Sequence, residues 1–125
     1  MELKTLKKGF KDLKVWQRSK TLAVDIYKAT ETGSLSRDFG LRDQIRKSSV
    51  SICSNIAEGD GRDTDKDSIR FFFIAKGSLA ELITQLEIAH EVGYFNEDVI
   101  KSFGVECDEI GRMLGALIKA RRNRK

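Results

Sequence analysis

The segment QIRKSSVSICSNIAEG, residues 44–59, carries two different helical stripes. Side chains that recur at steps of three and four residues share one face of a helix. One stripe is mostly apolar and comprises Leu41, Ile45, Ser48, Ile52 and Ile56. The second is polar and comprises Gln44, Lys47, Ser51, Asn55 and Glu58.

The apolar stripe predicts packing against a core. The polar stripe indicates a specific contact, because buried amides and hydroxyls cost stability unless each is paired. The alternative is a solvated face that is rich in serine and asparagine. We predict that Gln44, Ser51, Asn55 and Glu58 have a structural role before any role in binding.

The rest of the chain predicts three further helices that pack with this one as a bundle. The 125 residues contain no proline and are enough for one domain, which we assign to residues 1–125. Capping residues and glycines predict four helices: Asp12 to about Thr30, Asp38–Leu41 to Glu58–Gly59, Thr64 to about Val92 with Gly93 closing it, and Asn96 into the C-terminal tail. The glycines of the loop at 59–63 are expected to take the positive φ of a helix C-cap. The prediction is an all-α, up-down-up-down four-helix bundle.

The third helix is more apolar than one interface requires. Phe71, Phe72 and Phe73 are consecutive and therefore point around the helix axis. A bundle core uses only one stripe of a helix, and a large exposed apolar patch marks an interface. We therefore predict an oligomer interface at these three phenylalanines and Gly77, whose small size permits close approach of another backbone.

Basic residues concentrate at the two chain ends. Residues 1–20 carry seven Lys/Arg and two acidic residues, and residues 119–125 carry five Lys/Arg and no acidic residue. Such groups bind phosphates with salt-dependent, sequence-tolerant affinity. The predicted nucleic-acid-binding residues are Arg46, Lys47, Arg62, Lys119, Arg121, Arg122 and Arg124. The alternative is that the ends are solvated tails.

Other chemistry has little support. His90 is the single histidine, so one chain cannot build a di-iron site from Glu87-x-x-His90 or a histidine-based catalytic triad. Cys53 and Cys107 do not form a metal or redox motif. We predict no enzymatic activity, no metal and no cofactor. Neither a signal peptide nor a run of about 18 apolar residues is present, which favours a cytoplasmic protein.

Several motifs resemble one family. They are Asp12 to Gln17, Tyr27, Gly40-Leu41, residues 44–59 with Gly61-Arg62, and residues 74–82. Together they are similar to the four-helix bundle family encoded by intervening sequences in bacterial 23S ribosomal RNA genes. That family is similar in fold to the accessory variability protein of diversity-generating retroelements, a homopentameric barrel that binds its reverse transcriptase and nucleic acid. The resemblance implies a ring of five subunits, although the family's biochemical role is poorly defined.

These observations predict a non-enzymatic homo-oligomer that acts as a binding or scaffold protein, and the resemblance implies that it is a pentamer. RNA or DNA is the favoured partner. The alternative is an adaptor ring that binds a protein and has no direct role with nucleic acid.

Overall fold

A computed structural model gives the structure of the protein and describes residues 9–124. Its four helices are α1 (Lys14–Ala29), α2 (Phe39–Asp60), α3 (Asp65–Glu91) and α4 (Glu97–Arg122). Short 3-10 turns at Phe10–Asp12 and Ser34–Arg37 precede α1 and α2. No strand occurs within the described residues. The basic residues before Gly9, and Lys125, lie outside the described residues.

The helices pack in chain order as an antiparallel bundle. The most extensive interface joins α2 and α3, and the pairs α1–α2 and α3–α4 come next. The seam between α1 and α4 is the least extensive of the four. It is bridged by Arg18, whose guanidinium donates two hydrogen bonds of 2.8 and 3.0 Å to the carboxylate of Glu106. This arrangement confirms the predicted four-helix bundle.

The sequence located three of the four helix starts. The side chains of Asp38, Thr64 and Asn96 each accept a hydrogen bond from a backbone N–H in the first turn of α2, α3 and α4. Asp12 is not a cap, because it belongs to the 3-10 turn, and Leu13 occupies the N-cap position of α1. Gly93 has φ +91° after α3, which confirms its role in closing that helix.

The prediction of a positive φ in the loop after α2 is wrong. Gly61 has φ −86° as the C-cap of α2, and Gly59 lies within the helix. Gly59 is needed for a different reason. A Cβ atom added there would lie 2.7 Å from Cε1 of Phe72 and 3.0 Å from Cβ of Phe71. The close approach of α2 and α3 therefore depends on the absence of a side chain at Gly59.

The core lies along the bundle axis and contains the predicted apolar stripe of α2. Ile45, Ile52 and Ile56 are fully buried, and Ser48 is buried with them. Facing residues from the other helices are Leu22, Ile26, Leu82, Leu86, Ile110 and Leu114. Phe72 is also fully buried within the protomer. It therefore has no surface to offer a second subunit, and its assignment to an oligomer interface is corrected to a core position.

The two ends of the described chain meet at one pole of the bundle, as the up-down topology predicts. Gly9 lies next to Asp60 at the end of α2, and Arg121 near the end of α4 pairs with the same carboxylate. Among the described helices, none is both long and apolar enough to cross a membrane.

Candidate functional site

Two residues of the polar stripe of α2, Ser51 and Asn55, are hydrogen-bonded to each other, and Ser51 also reaches α3. Asn55 donates from Nδ2 to the Ser51 carbonyl at 2.8 Å and to the Ser51 hydroxyl at 3.0 Å. The Ser51 hydroxyl is in turn 2.8 Å from that of Ser78 in α3. One turn earlier, Ser48 donates to Gln85 of α3 at 2.7 Å. These contacts form a hydrogen-bonded seam between the two helices.

Next to this seam lies a surface groove of about 350 Å³. Ser48 and Ser51 line its inner side, and their hydroxyls are already bonded within the seam. Its other lining residues are Gln44, Lys47, Glu81 and Gln85. The remaining member of the polar stripe, Glu58, lies beyond the groove and pairs with Arg62 at 3.1 Å.

The predicted basic residues do not form one surface. Lys47 lines the groove, whereas Arg46 is on the α1 side of α2. There Arg46 donates to the Thr30 hydroxyl at 2.8 Å, and its guanidinium carbon lies 4.6 Å from the ring centroid of Tyr27. Asp43, four residues before Lys47 on α2, pairs with Arg42 at 2.9 Å.

At the pole, arginines and carboxylates largely neutralise each other. Arg62 bridges Glu58 at 3.1 Å and Asp67 at 3.5 Å. Arg121 pairs with Asp60, and the two side chains are only 12% and 17% exposed. A further pair joins the C-terminal tail to the start of α3 through Arg124 and Asp65 at 3.5 Å. Carboxylates at the end of α2 and the start of α3 thus hold the end of α4 in place.

A cluster of two cations around Phe73 was not predicted from the sequence. Phe73 is 43% exposed. The ammonium of Lys76 lies 6.0 Å from the ring centroid, and the guanidinium carbon of Arg122 lies 5.5 Å from it. The spacing of Phe73 and Lys76 places them one turn apart on α3, but only the tertiary fold brings in Arg122 from α4. We call Phe73, Lys76 and Arg122 the Phe73 cluster.

This cluster carries free positive charge. Within residues 9–124, no carboxylate lies at ion-pair distance from Lys76, Arg122 or the neighbouring Lys119. Phe71 differs, because Arg62 and Arg70 both stack on it at 4.4 and 4.6 Å, and both arginines also contact Asp67.

The outward face of α3 exposes several large apolar side chains. The exposed residues are Phe73, Ile74, Ile83 and Ile88, and Val92 follows the helix. Gly77 lies on the same face, and a Cβ atom added there would meet nothing within 4 Å. The sequence thus correctly indicated more apolar surface on α3 than the bundle core uses.

Reactive and metal-binding groups are sparse in the described part of the chain. Burial raises the pKa of the Cys107 thiol to about 12, and burial also raises the pKa of Cys53. Nε2 of His90 lies 3.3 Å from a carboxylate oxygen of Glu97. No group of three His, Cys, Asp or Glu residues within 9–124 is arranged to hold a metal ion.

The fold and surface define an all-helical bundle with a hydrogen-bonded α2–α3 seam and an apolar outward face on α3. Residues 11–116 match the family described as 23S rRNA-intervening sequence protein, and the chain belongs to this family. It is similar to a protein of unknown function from the S23 ribosomal protein family of Bacteroides thetaiotaomicron VPI-5482, solved at 1.70 Å resolution. The two are 28% identical with a TM-score of 0.77, over 84% of this chain and 98% of that chain. No curated protein matches the chain significantly.

Proposed function

We propose that the protein is a non-enzymatic scaffold that assembles as a homo-oligomer and binds RNA or DNA. The apolar outward face of α3 carries this proposal. Ile74 and Ile88 are 43% and 47% exposed on the same side of the helix, and Val92, four residues after Ile88, is 59% exposed just beyond it. Contiguous apolar surface of this kind favours contact with another protein surface over contact with water. The resemblance to the retroelement protein supports a ring of five.

The Phe73 cluster supports nucleic acid as the partner. An exposed aromatic ring can stack on a base, and adjacent cations can contact phosphates without reading sequence. Lys76, Arg122 and Lys119 keep their charge free for this purpose. In an oligomer the cluster is repeated once per subunit, so weak contacts add up through avidity.

Light scattering and binding measurements test the two parts separately. Light scattering at micromolar protomer concentration should give several times the protomer mass of 14.1 kDa, near five times for a pentamer. A monodisperse monomer would refute the assembly. Fluorescence anisotropy with labelled oligo(U) and oligo(dT) should show binding whose logarithm falls linearly with the logarithm of salt concentration.

The Phe73 cluster can be tested with a charge-matched control. Lys76→Ala/Arg122→Ala should weaken binding and reduce the salt slope by about 1.4, at about 0.7 for each single-strand phosphate contact. Lys28→Ala/Lys101→Ala removes the same charge from exposed positions away from the cluster and should reduce both much less. Equal effects of the two variants would show that only net charge matters.

A protein adaptor is the second candidate. The observation that favours it is the pairing of Arg62, Arg121 and Arg124 with carboxylates, which neutralises three of the seven predicted nucleic-acid-binding residues. If the intact oligomer binds no oligonucleotide at about 50 mM salt, where phosphate contacts are strong, the adaptor replaces the nucleic-acid-binding protein as the proposed function.

A further inference from the structure

We propose that the groove between α3 and α4 is a binding site for a free aliphatic α-amino acid. The groove has a volume of about 340 Å³, at the small end of the range of about 300–1,000 Å³ for small-molecule sites. It lies on the α4 side of α3, whereas Ile88 lines a groove next to α2 together with Gln44. The site is therefore on the opposite flank of α3 from the Ile88 side that carries the proposed assembly.

Aliphatic side chains from both helices line the groove. Ile83 of α3 is 39% exposed, and Val105 of α4 is 68% exposed. Ile100 of α4 is half-buried and adds to the same lining. Exposed aliphatic surface in a concave site favours a ligand that has an apolar group to place on it.

Gly104 leaves an open position on the α4 side of the groove, one turn after Ile100. A Cβ atom added there would meet nothing within 4 Å. Glycine in the interior of a helix is destabilising relative to alanine. Packing among the described residues gives no reason for this glycine, and the absence of a side chain leaves room for a ligand.

Three charged side chains line the same groove: Glu87 of α3, and Lys101 and Asp108 of α4. Within residues 9–124, none of the three lies at ion-pair distance from an oppositely charged group. Arg112, one turn after Asp108, already pairs with Glu109 at 2.7 Å. The groove therefore offers one positive and two negative groups that the fold leaves unpaired.

The level of α3 relative to α4 places charges of both signs around Gly104. A Cβ atom at Gly111 would lie 3.5 Å from Cδ2 of Leu79, which fixes the level at which the two antiparallel helices pass each other. About two turns further along α3, Glu87 is therefore level with the turn of α4 that contains Gly104. Lys101 precedes Gly104 by about one turn. A carboxylate and an ammonium group thus flank one open position from two helices.

An α-amino acid carries a carboxylate, an ammonium group and a side chain on one carbon, and the groove offers a partner for each. Lys101 would bind the carboxylate. Glu87 and Asp108 would accept hydrogen bonds from the ammonium group, which has three N–H donors. An aliphatic side chain would cover Ile83 and Ile100. An amine would leave the lysine unpaired, and a carboxylic acid would leave both acidic residues unpaired.

Ligands that lack one group each test this assignment. Isothermal titration calorimetry of the wild-type protein should show saturable binding of leucine in the millimolar range. Isocaproate lacks the ammonium group of leucine, isoamylamine lacks its carboxylate, and glycine lacks its side chain. Each should bind at least about fivefold more weakly than leucine, which is the contribution of one solvent-accessible ion pair or of a small apolar contact.

Substitutions in the groove connect each ligand group to its partner. In the Lys101→Met variant, leucine should bind no more tightly than isoamylamine. In the Glu87→Gln/Asp108→Asn variant, leucine should bind no more tightly than isocaproate. Gly104→Leu should fill the groove and abolish binding without a clash of its Cβ atom. Gly115→Leu is the matched control, because this glycine of α4 has the same free space but lies outside the groove, and it should bind leucine as the wild type does.

Each outcome supports or overturns the site. Absence of saturable leucine binding overturns it, as does wild-type binding of isocaproate or isoamylamine that is as tight as that of leucine. Undiminished binding by folded Gly104→Leu also overturns it. Melting curves by circular dichroism confirm folding, and if Gly104→Leu is unfolded, the comparison in Lys101→Met decides. A monomer in light scattering would refute the proposed assembly and leave the amino-acid site intact.

Discussion

Replacement of Gly59 by alanine tests whether the close contact of α2 and α3 requires a residue without a side chain at this position. The added Cβ would lie 2.7 Å from Cε1 of Phe72 and 3.0 Å from Cβ of Phe71. Real Cβ atoms do not approach other atoms as closely as 2.7 Å. Phe72 is fully buried and cannot swing away, and Cβ of Phe71 is fixed to the α3 backbone.

Two effects of opposite sign set the size of the change. Extra volume in a packed site costs about 1–3 kcal/mol, because helices or rings must shift. Alanine in place of glycine within a helix gains about 1 kcal/mol. We therefore expect Gly59→Ala to lower the free energy of unfolding by up to about 2 kcal/mol. For a chain of this length, that is a fall of up to roughly 10 °C in Tm.

Gly115→Ala in α4 is the matched control. A Cβ atom at Gly115 would meet nothing within 4 Å, so only the gain in helix propensity remains. Its Tm should rise by a few degrees. Both variants should be melted by circular dichroism at the same protomer concentration, because assembly makes Tm depend on concentration. If Gly59→Ala melts as high as Gly115→Ala, the steric argument is refuted.

Three further predictions concern the pole, the thiols and a helix cap. Arg121→Met should lower the free energy of unfolding by about 1–3 kcal/mol in urea titration, since it leaves the mostly buried C-terminal aspartate of α2 unpaired; an unchanged midpoint would contradict this. Ellman's reagent should label Cys53 before Cys107 in the native protein, because Cys107 is buried and its pKa is raised to about 12; equal rates would show that the core opens freely. The pKa of Tyr94 is raised chiefly because its hydroxyl donates to the carboxylate that caps α2. The hydrogen-bonded phenol therefore stabilises the fold fully below the ordinary tyrosine pKa of about 10, and this stability is lost as pH rises through the raised value. Tyr94→Phe should reduce the loss of Tm between pH 9 and 11.

The sequence predicted the architecture because its local signals agree with the tertiary structure. The apolar stripe of α2 is the buried stripe, and Thr64 and Asn96 cap the helices that they were expected to start. Asp12 misled because it is the last residue of a 3-10 turn and Leu13 is the N-cap of α1. A turn of three residues is too short to show a periodicity in the sequence.

The candidate site was less predictable because it depends on contacts between distant residues. Arg121 reaches Asp60 across 61 positions of the chain, so a basic tail that seemed free is partly neutralised. Arg122 joins Phe73 by the same folding of α4 onto α3. Composition reports the number of charges in a segment, but the fold determines which of them remain unpaired.

The helix–helix interfaces of the bundle differ in size, and this has a consequence for the kinetics of folding. α2 and α3 share the largest interface and are joined by a short loop, so most of their contacts are local in sequence and form early in folding. α1 and α4 lie at opposite ends of the chain and meet in the smallest interface, which we expect to close last and open first. We expect amide hydrogens of α1 and α4 to exchange with solvent through partial openings, while those in the centre of α2 and α3 exchange only when the whole domain unfolds. The central hairpin would then persist as a folded nucleus on which the outer helices dock and from which they detach.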